Sequence, residues 1–144
     1  MTSADGSSEL EELAHKLAVL ELAARYGDHA DHGEWAAFAQ LFTVDGVFDA
    51  TLVIGKVLTG RAEIEANFAA DDVSVAHHPT NVIFERTGPD RGRARMKMLI
   101  IGATAVSSID YDWELALIDG EWKIAHQRLV PMRVMRARRP DSTR

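Results

Sequence analysis

Residues 10–31, LEELAHKLAVLELAARYGDHAD, predict a long first helix and with it the layout of the fold. Apolar residues recur along this stretch at steps of three and four, which keeps their side chains on one face of an α-helix: Leu10, Leu13, Leu17 and Leu20, here called the leucine stripe, followed by Ala24. The rhythm continues through Gly27 to Asp31. A buried carboxylate is costly unless it has a partner. We therefore expect the leucine stripe to face the core and Asp31 to meet a partner there.

Length and composition indicate one folded domain. The chain has 144 residues, of which 47% are hydrophobic, and it contains no cysteine, which excludes disulfides and thiolate nucleophiles. We predict a flexible leader at 1–8, one domain at 9–134 and a basic flexible tail at 135–144. The sequence lacks an apolar run long enough to span a membrane, and its start is polar and acidic. We expect a cytoplasmic protein with no membrane partner.

The charge is unevenly distributed. Residues 133–144 contain five Arg and one Asp, a net charge of +4, so the total of −6 leaves −10 for the rest of the chain. A nucleic-acid-binding protein is expected to carry a basic face on its folded part. The acidic body therefore predicts no nucleic-acid partner.

Helices come first along the chain and strands follow. The predicted helices are residues 7–30, 34–42 and 61–70, and the first of them begins with a capping box formed by Ser8 and Glu11. The predicted strands are residues 47–54, 57–59, 73–85, 93–107, 109–118 and 121–134. This order favours an α+β domain with helices on one face of a curved antiparallel sheet. Such an arrangement encloses a cavity between helices and sheet, and we expect Asp31 to face it.

Six short fragments follow one another as they do in a known family. They are Arg25-Tyr26, DHGEW at 31–35, LFTVDG at 41–46, Gly60-Arg61, HHPTN at 77–81 and DGEWKI at 119–124. In this order the chain resembles, over residues 9–130, the SnoaL-like branch of the nuclear transport factor 2-like (cystatin-like) superfamily. The resemblance implies a cone-shaped α+β barrel with a deep pocket, often dimeric through the sheet.

Within that superfamily the sequence is most similar to the scytalone dehydratase and hexachlorocyclohexane dehydrochlorinase type. That resemblance implies two catalytic residues, Asp31 with Trp35 four positions on, and His77 before Thr80-Asn81. The chemistry fits, because imidazole accepts and returns protons near neutral pH, and a carboxylate on its other nitrogen fixes the tautomer. Asp31 and His77 are therefore our candidate acid–base dyad.

Three departures from this type concern the reaction. The dehydratases have tyrosines where this chain has Ala30 and Ala50, and their second histidine falls near Ile101-Gly102. The dehalogenating relatives carry a basic residue on the last strand, where this chain has Gln127. Neither scytalone-type dehydration nor departure of a halide is therefore predicted.

The histidines do not predict a metal site. Asp28, His29, Asp31 and His32 supply ligand atoms, but His29 and His32 lie on different helix faces, and His77 and its neighbour point to opposite sides of a strand. We expect no metal and no cofactor.

Aromatic residues on the predicted helices and strands are expected in the core or the pocket wall. Among them we assign Trp35, Phe48 and Tyr111 to substrate binding, and we place Tyr26, a further binding residue, at the pocket rim.

The sequence predicts a cofactor-free lyase or isomerase acting on a hydrophobic, oxygenated small molecule. His77 would remove a proton while Asp31 holds it, and Tyr26, Asn81 or Gln127 would stabilise the developing oxyanion. Two alternatives stay open: polyketide cyclase or epoxide-opening chemistry with Asp31 as the acid, and a non-catalytic domain that binds a small molecule or only dimerises. We also expect a homodimer with facing sheets, because segments such as 96–101 look apolar on both faces.

Overall fold

The computed structural model describes residues 3–70 and 75–131. Four helices are present in this part of the chain: α1 (Ser3–Asp31), α2 (Trp35–Gln40), α3 (Thr51–Ile54) and α4 (Arg61–Ala69). Six strands accompany them: β1 (Phe42–Ala50), β2 (Lys56–Thr59), β3 (Val75–Gly88), β4 (Arg91–Gly102), β5 (Val106–Ile118) and β6 (Glu121–Pro131). The predicted basic tail lies outside the described residues. Within them, no helix combines the length and the apolar character needed to cross a membrane.

The strands form one open, curved sheet in the order β2-β1-β6-β5-β4-β3. The predicted α+β architecture is confirmed. Four of the five strand pairs are antiparallel as predicted, but β1 and β6 run parallel, so the sheet is mixed. The difference arises because the β3–β6 meander brings its last strand back beside β1 in the same direction, a relation that local turn signals do not encode.

The predicted orientation of α1 is wrong. The leucine stripe is 48–69% exposed, whereas Val19, Leu22, Ala23 and Tyr26 are buried against the sheet. Both sets have helical spacing, so α1 has two apolar faces and periodicity alone does not choose between them. The buried face also carries Gly27, where an added Cβ would lie 2.9 Å from the carbonyl oxygen of His77. This glycine lets α1 approach β3 closely, which favours the observed face.

The predicted first strand is displaced towards the N-terminus. It begins at Phe42, whose carbonyl oxygen accepts two hydrogen bonds from the Arg61 guanidinium at 2.9 and 2.7 Å, and it ends at Ala50. The segment 51–54, predicted as strand because of its β-branched residues, is a helical turn. Asp49 starts this turn by accepting a 2.9 Å bond from the Thr51 amide, and Gly55, at φ +69°, ends it. The predicted β2 and α4 agree closely with the structure.

Gly27→Ala should lower the free energy of unfolding by about 1–3 kcal/mol, because the new methyl group meets the rigid backbone of β3. In an open helix position the same change is expected to stabilise by roughly 0.5–1 kcal/mol. Gly6→Ala is the matched control, since Gly6 lies in the same helix with nothing within 4 Å of an added Cβ. Urea unfolding measures both variants. Equal stability of the two would contradict the proposed role of Gly27.

Candidate active site

The end of α1 and the start of β3 bring Asp31 and His77 together, although 46 positions separate them. The Asp31 carboxylate accepts a 2.8 Å bond from Nδ1 of His77. Its two oxygens also accept the backbone N–H of His77, at 2.9 and 3.0 Å. A carboxylate near a helix C-terminus gains nothing from the helix dipole, so these bonds supply the partner that the sequence predicted for Asp31.

This geometry fixes the state of the imidazole ring. An ionised carboxylate only accepts hydrogen bonds, so the proton of the neutral ring is on Nδ1 and the lone pair is on Nε2. The side chains of His77 and Asp31 are 16% and 24% exposed, so the pair is partly shielded from water. His77 is thus arranged as a proton acceptor through Nε2, with a carboxylate placed to stabilise the imidazolium that forms. Its catalytic role stays a prediction.

His77 lines an apolar cavity of about 230 Å³ between the helices and the inner face of the sheet. Six aromatic side chains form much of the wall: Tyr26, Trp35, Phe38, Phe48, Phe68 and Tyr111. The remaining lining residues are aliphatic. The polar side-chain groups of the wall are therefore one imidazole, two phenols and the indole N–H of Trp35, and such a surface suits a small, mostly apolar molecule with few oxygen atoms.

Four predicted binding residues lie in this wall, namely Tyr26, Trp35, Phe48 and Tyr111. Asn81 does not belong to it. That residue is exposed on β3 and has a φ of +54°. It lies between Thr80 and Ile83, where the pairing of β3 with β4 shifts register, so it forms a bulge in the strand. Left-handed backbone favours Asn among non-glycine residues, which explains its presence without a ligand.

Gln127 also lies outside the cavity wall. It is fully buried behind the wall, where its Oε1 accepts a 2.8 Å bond from Nε1 of Trp113 and its Nε2 donates a 2.9 Å bond to the Tyr26 hydroxyl. The prediction that it touches an oxyanion finds no support in this position. A buried amide with partners on both sides satisfies its hydrogen bonds within the protein.

The sequence analysis missed several wall residues, among them Phe38, Phe68, Ile100 and Leu129. Strand alternation offered a signal for Ile100, because it shares a face with the buried Met96 and Met98. For Phe68 the only signal was the weak apolar periodicity of α4. The others depended on how the helices pack over the sheet.

The remaining histidines of the 28–34 region pair locally. His29 Nδ1 contacts Glu34, and His32 Nδ1 donates to the carbonyl oxygen of Asp28 at 2.8 Å, a bond that raises the pKa of His32. Among the residues that the structure describes, no three His, Asp or Glu side chains are placed to hold a metal ion.

Both tyrosines of the chain should stay protonated in the folded state. Tyr26 and Tyr111 are each 2% exposed, and burial raises the pKa of both phenols. In the unfolded chain both phenols ionise near pH 10, whereas in the folded chain they stay neutral above that pH, so alkali favours unfolding. The stability that the neutral phenols supply is therefore complete below pH 10 and is lost as the pH rises above it. Tyrosinate absorbance should therefore rise only together with loss of near-ultraviolet circular dichroism. A reversible titration of either phenol near pH 10 in folded protein would contradict this.

Comparison with known proteins places this geometry in a family. The fold matches a protein of unknown function from Mycobacterium tuberculosis at a TM-score of 0.78 and 28% identity, covering 87% of this chain and 76% of that one. A nuclear transport factor 2-like protein with a cystatin-like fold from Novosphingobium aromaticivorans matches at 0.75 and 22%, covering 91% and 90%. A candidate scytalone dehydratase from the same organism matches at 0.70 and 17%, covering 84% and 86%. The latter two similarities concern the fold alone.

Among curated proteins, none matches the sequence significantly. The SnoaL-like domain, in contrast, matches residues 11–128, a range that contains α1 from Glu11, the Asp31–His77 pair and nearly all of the sheet. The chain therefore belongs to the SnoaL-like domain family, and it has the fold of the nuclear transport factor 2-like protein described above.

Proposed function

We propose that this protein is a lyase or isomerase that acts without a cofactor on a hydrophobic, oxygenated small molecule. One observation carries the proposal: Asp31 holds the Nδ1 side of His77 at the wall of an aromatic cavity, which leaves Nε2 as a proton acceptor. An imidazole oriented by a carboxylate is well suited to general acid–base catalysis.

In the proposed reaction, Nε2 of His77 removes a proton from a carbon next to a carbonyl group. The electron pair of the C–H bond moves towards the carbonyl oxygen, and Asp31 stabilises the imidazolium. The same proton then returns either to a leaving hydroxyl, which gives dehydration, or to a second carbon, which gives isomerisation. Atoms and charge balance in both cases without a further reagent.

The alternative in which Asp31 acts as the acid has less support. Both oxygens of Asp31 accept hydrogen bonds from His77, and Asp31 is not part of the cavity lining. An acid in cyclase or epoxide-opening chemistry must reach the substrate oxygen. His77 is the group of the pair that reaches the cavity, so we assign the proton transfer to it.

Incubation with a panel of small β-hydroxy ketones and β,γ-unsaturated ketones tests the proposal. Loss of the hydroxyl or migration of the double bond creates a conjugated enone, which absorbs in the ultraviolet. Turnover by the wild type that His77→Gln abolishes would support the proposal. Binding of the same compounds without turnover would favour a binding domain instead.

A second part of the proposal is a homodimer that forms through the outer face of the sheet. The expectation rested on apolar residues on both faces of 96–101: Met96 and Met98 are buried, and on the opposite face the exposed Ile101 accompanies the exposed Lys97. The outer face of the sheet also has a groove that is lined by three acidic and three arginine side chains: Glu85, Asp112, Glu114, Arg93, Arg95 and Arg128. Balanced charges of this kind allow a face to complement a second copy of itself.

Light scattering at micromolar concentration should therefore give twice the chain mass of 15.9 kDa. Arg95→Glu should shift the protein towards the monomer, because it places like charges opposite one another. Lys16→Glu is the control, since it makes the same charge change on α1, away from the sheet's outer face. A monomeric wild type would refute this part while leaving the proposed reaction intact.

A further inference from the structure

The leucine stripe of α1 faces away from the domain to which the helix belongs. Its four leucines are 48–69% exposed. Leu17 and Leu20 each precede a buried residue, Val19 and Leu22, by two positions, so they lie about 200° around the helix from the face that packs on the sheet. Single exposed leucines are ordinary, but a contiguous apolar surface of this kind marks an interaction site. We therefore expect the stripe to have a partner.

The spacing of the stripe is that of a short coiled-coil seam. Its leucines follow one another at steps of three, four and three residues, and Ala24 adds a further step of four. In a two-stranded coiled coil, residues with this spacing occupy the a and d positions of a seven-residue repeat and pack against a second helix, while the flanking e and g positions form ion pairs between the helices. With Leu10 as an a position, Lys16 is a g position and Glu21 is an e position. Both of these charged side chains are exposed beside the stripe.

The charges beside the stripe complement a second copy of the same helix. When two α1 helices run parallel, each g residue lies near the e residue five positions further on in the other helix. Lys16 of one copy then faces Glu21 of the other, and symmetry gives this ion pair twice. Within its own helix Glu21 accepts Arg25 at Oε1, which leaves Oε2 for the second copy. The remaining flanking pair, Glu9 with Ala14, brings no like charges together.

Two alternatives fit the charges of α1 less well. An antiparallel pair that buries all four leucines places Leu10 opposite Leu20 of the other copy, and the two Lys16 side chains then lie side by side. A lipid surface is disfavoured by the acidic character of the helix. Between residues 9 and 28, α1 carries five acidic and two basic residues, whereas helices that lie on anionic membranes carry Lys and Arg on their polar face.

We propose that the leucine stripe binds the leucine stripe of a second copy as a short parallel coiled coil. Because α1 ends at Asp31 and the two helices point the same way, both Asp31–His77 pairs lie at the same end of the assembly. Two heptads make a small interface, so the pairing is transient and belongs to concentrations above the micromolar range. The inference is independent of the proposed reaction and of the interface on the outer face of the sheet.

Disulfide crosslinking tests the pairing directly, since the chain contains no cysteine. At close to millimolar concentration in a glutathione buffer, Leu10→Cys should form a covalent dimer on a non-reducing gel, because residues at an a position face each other in a parallel seam. Ala18→Cys is the matched control: it is exposed on the same helix but lies off the stripe, so it should crosslink roughly tenfold more slowly or less. In the antiparallel arrangement the two copies of residue 10 would be about 15 Å apart, too far for a disulfide.

A charge reversal tests the parallel register. Glu21→Lys, added to Leu10→Cys, places lysines opposite each other at both ion pairs and should slow crosslinking roughly tenfold. Further addition of Lys16→Glu restores opposite charges and should return the rate to within about twofold of Leu10→Cys alone. All of these positions are exposed, so the variants should fold.

Crosslinking of Leu10→Cys that is no faster than that of Ala18→Cys would overturn the proposal and leave the stripe to another partner, such as a lipid surface. A rate that does not respond to Glu21→Lys, or that Lys16→Glu does not restore, would overturn the parallel register. Because a disulfide at residue 10 reports contact between α1 helices alone, loss of the proposed reaction or of the sheet interface would leave these outcomes unchanged.

Discussion

His77→Gln should lower kcat/KM by roughly 10²- to 10⁴-fold, the range that a positioned acid–base group contributes. Glutamine can keep a hydrogen bond to Asp31, but its amide does not accept and return a proton near neutral pH. The measurement is turnover of the ketone identified in the screen, with circular dichroism to show that the variant is folded. The variant should still bind para-nitrotoluene, a small apolar aromatic molecule, because the substitution leaves the six aromatic side chains of the cavity wall unchanged.

His78→Gln is the control for this substitution. The adjacent side chain is exposed and points to the other side of β3. It should leave kcat/KM within about twofold of the wild type, since surface substitutions away from a site are close to neutral. A His77→Gln variant as active as His78→Gln would refute the mechanism and leave the fold unaffected.

Asp31→Asn should cost about 10²-fold or more in kcat/KM and about 1–3 kcal/mol in the free energy of unfolding. The carboxylate accepts three hydrogen bonds from His77, and an amide offers one acceptor oxygen in place of two. The ring then loses both its fixed tautomer and the charge that stabilises the imidazolium. Steady-state kinetics and urea unfolding measure the two effects separately.

Asp28→Asn, one turn earlier on the same helix, is the matched control. The Asp28 side chain is exposed and its only ion pair among the described residues is with His32, so both rate and stability should change little. The double variant Asp31→Asn/His77→Gln should be about as slow as His77→Gln alone, because residues that act as a unit are not additive. Losses that multiply would indicate that Asp31 and His77 act independently.

The Asp31–His77 pair could be predicted because both residues stand in fragments that resemble those of a known family, in which the matching residues act together. The sequence did not allow the rotation of α1 to be predicted. A helix with two apolar faces gives the same periodicity from either side, and the close approach permitted by Gly27 is a property of two elements together. The parallel β1–β6 pair was missed for a similar reason, since no local signal records which distant strand becomes a neighbour.

The role of Gln127 shows a further limit. A polar residue on a strand of an aromatic core suggests a ligand contact, and the pattern alone does not reveal that an indole N–H and a phenol satisfy it. Trp35, Phe48 and Tyr111 were predicted in the core or pocket wall and line the cavity, because aromatic side chains on the inner face of such a fold have few other places to lie. Tyr26 was predicted at the rim, but it is buried in the same wall.

The parallel pairing of β1 with β6 also determines the order in which the chain can assemble. Cα partners such as Phe48 and Gln127 are about 80 positions apart, whereas β3 to β6 pair through short turns. Closing so long a loop lowers the entropy of the chain before stabilising contacts form. We therefore expect the meander to form early and β1 to dock late, on a timescale of roughly milliseconds to seconds. Phe48 on β1 and Leu129 on β6 both line the cavity. A growing chain therefore carries Asp31 and His77 well before it has an enclosed cavity in which they can act.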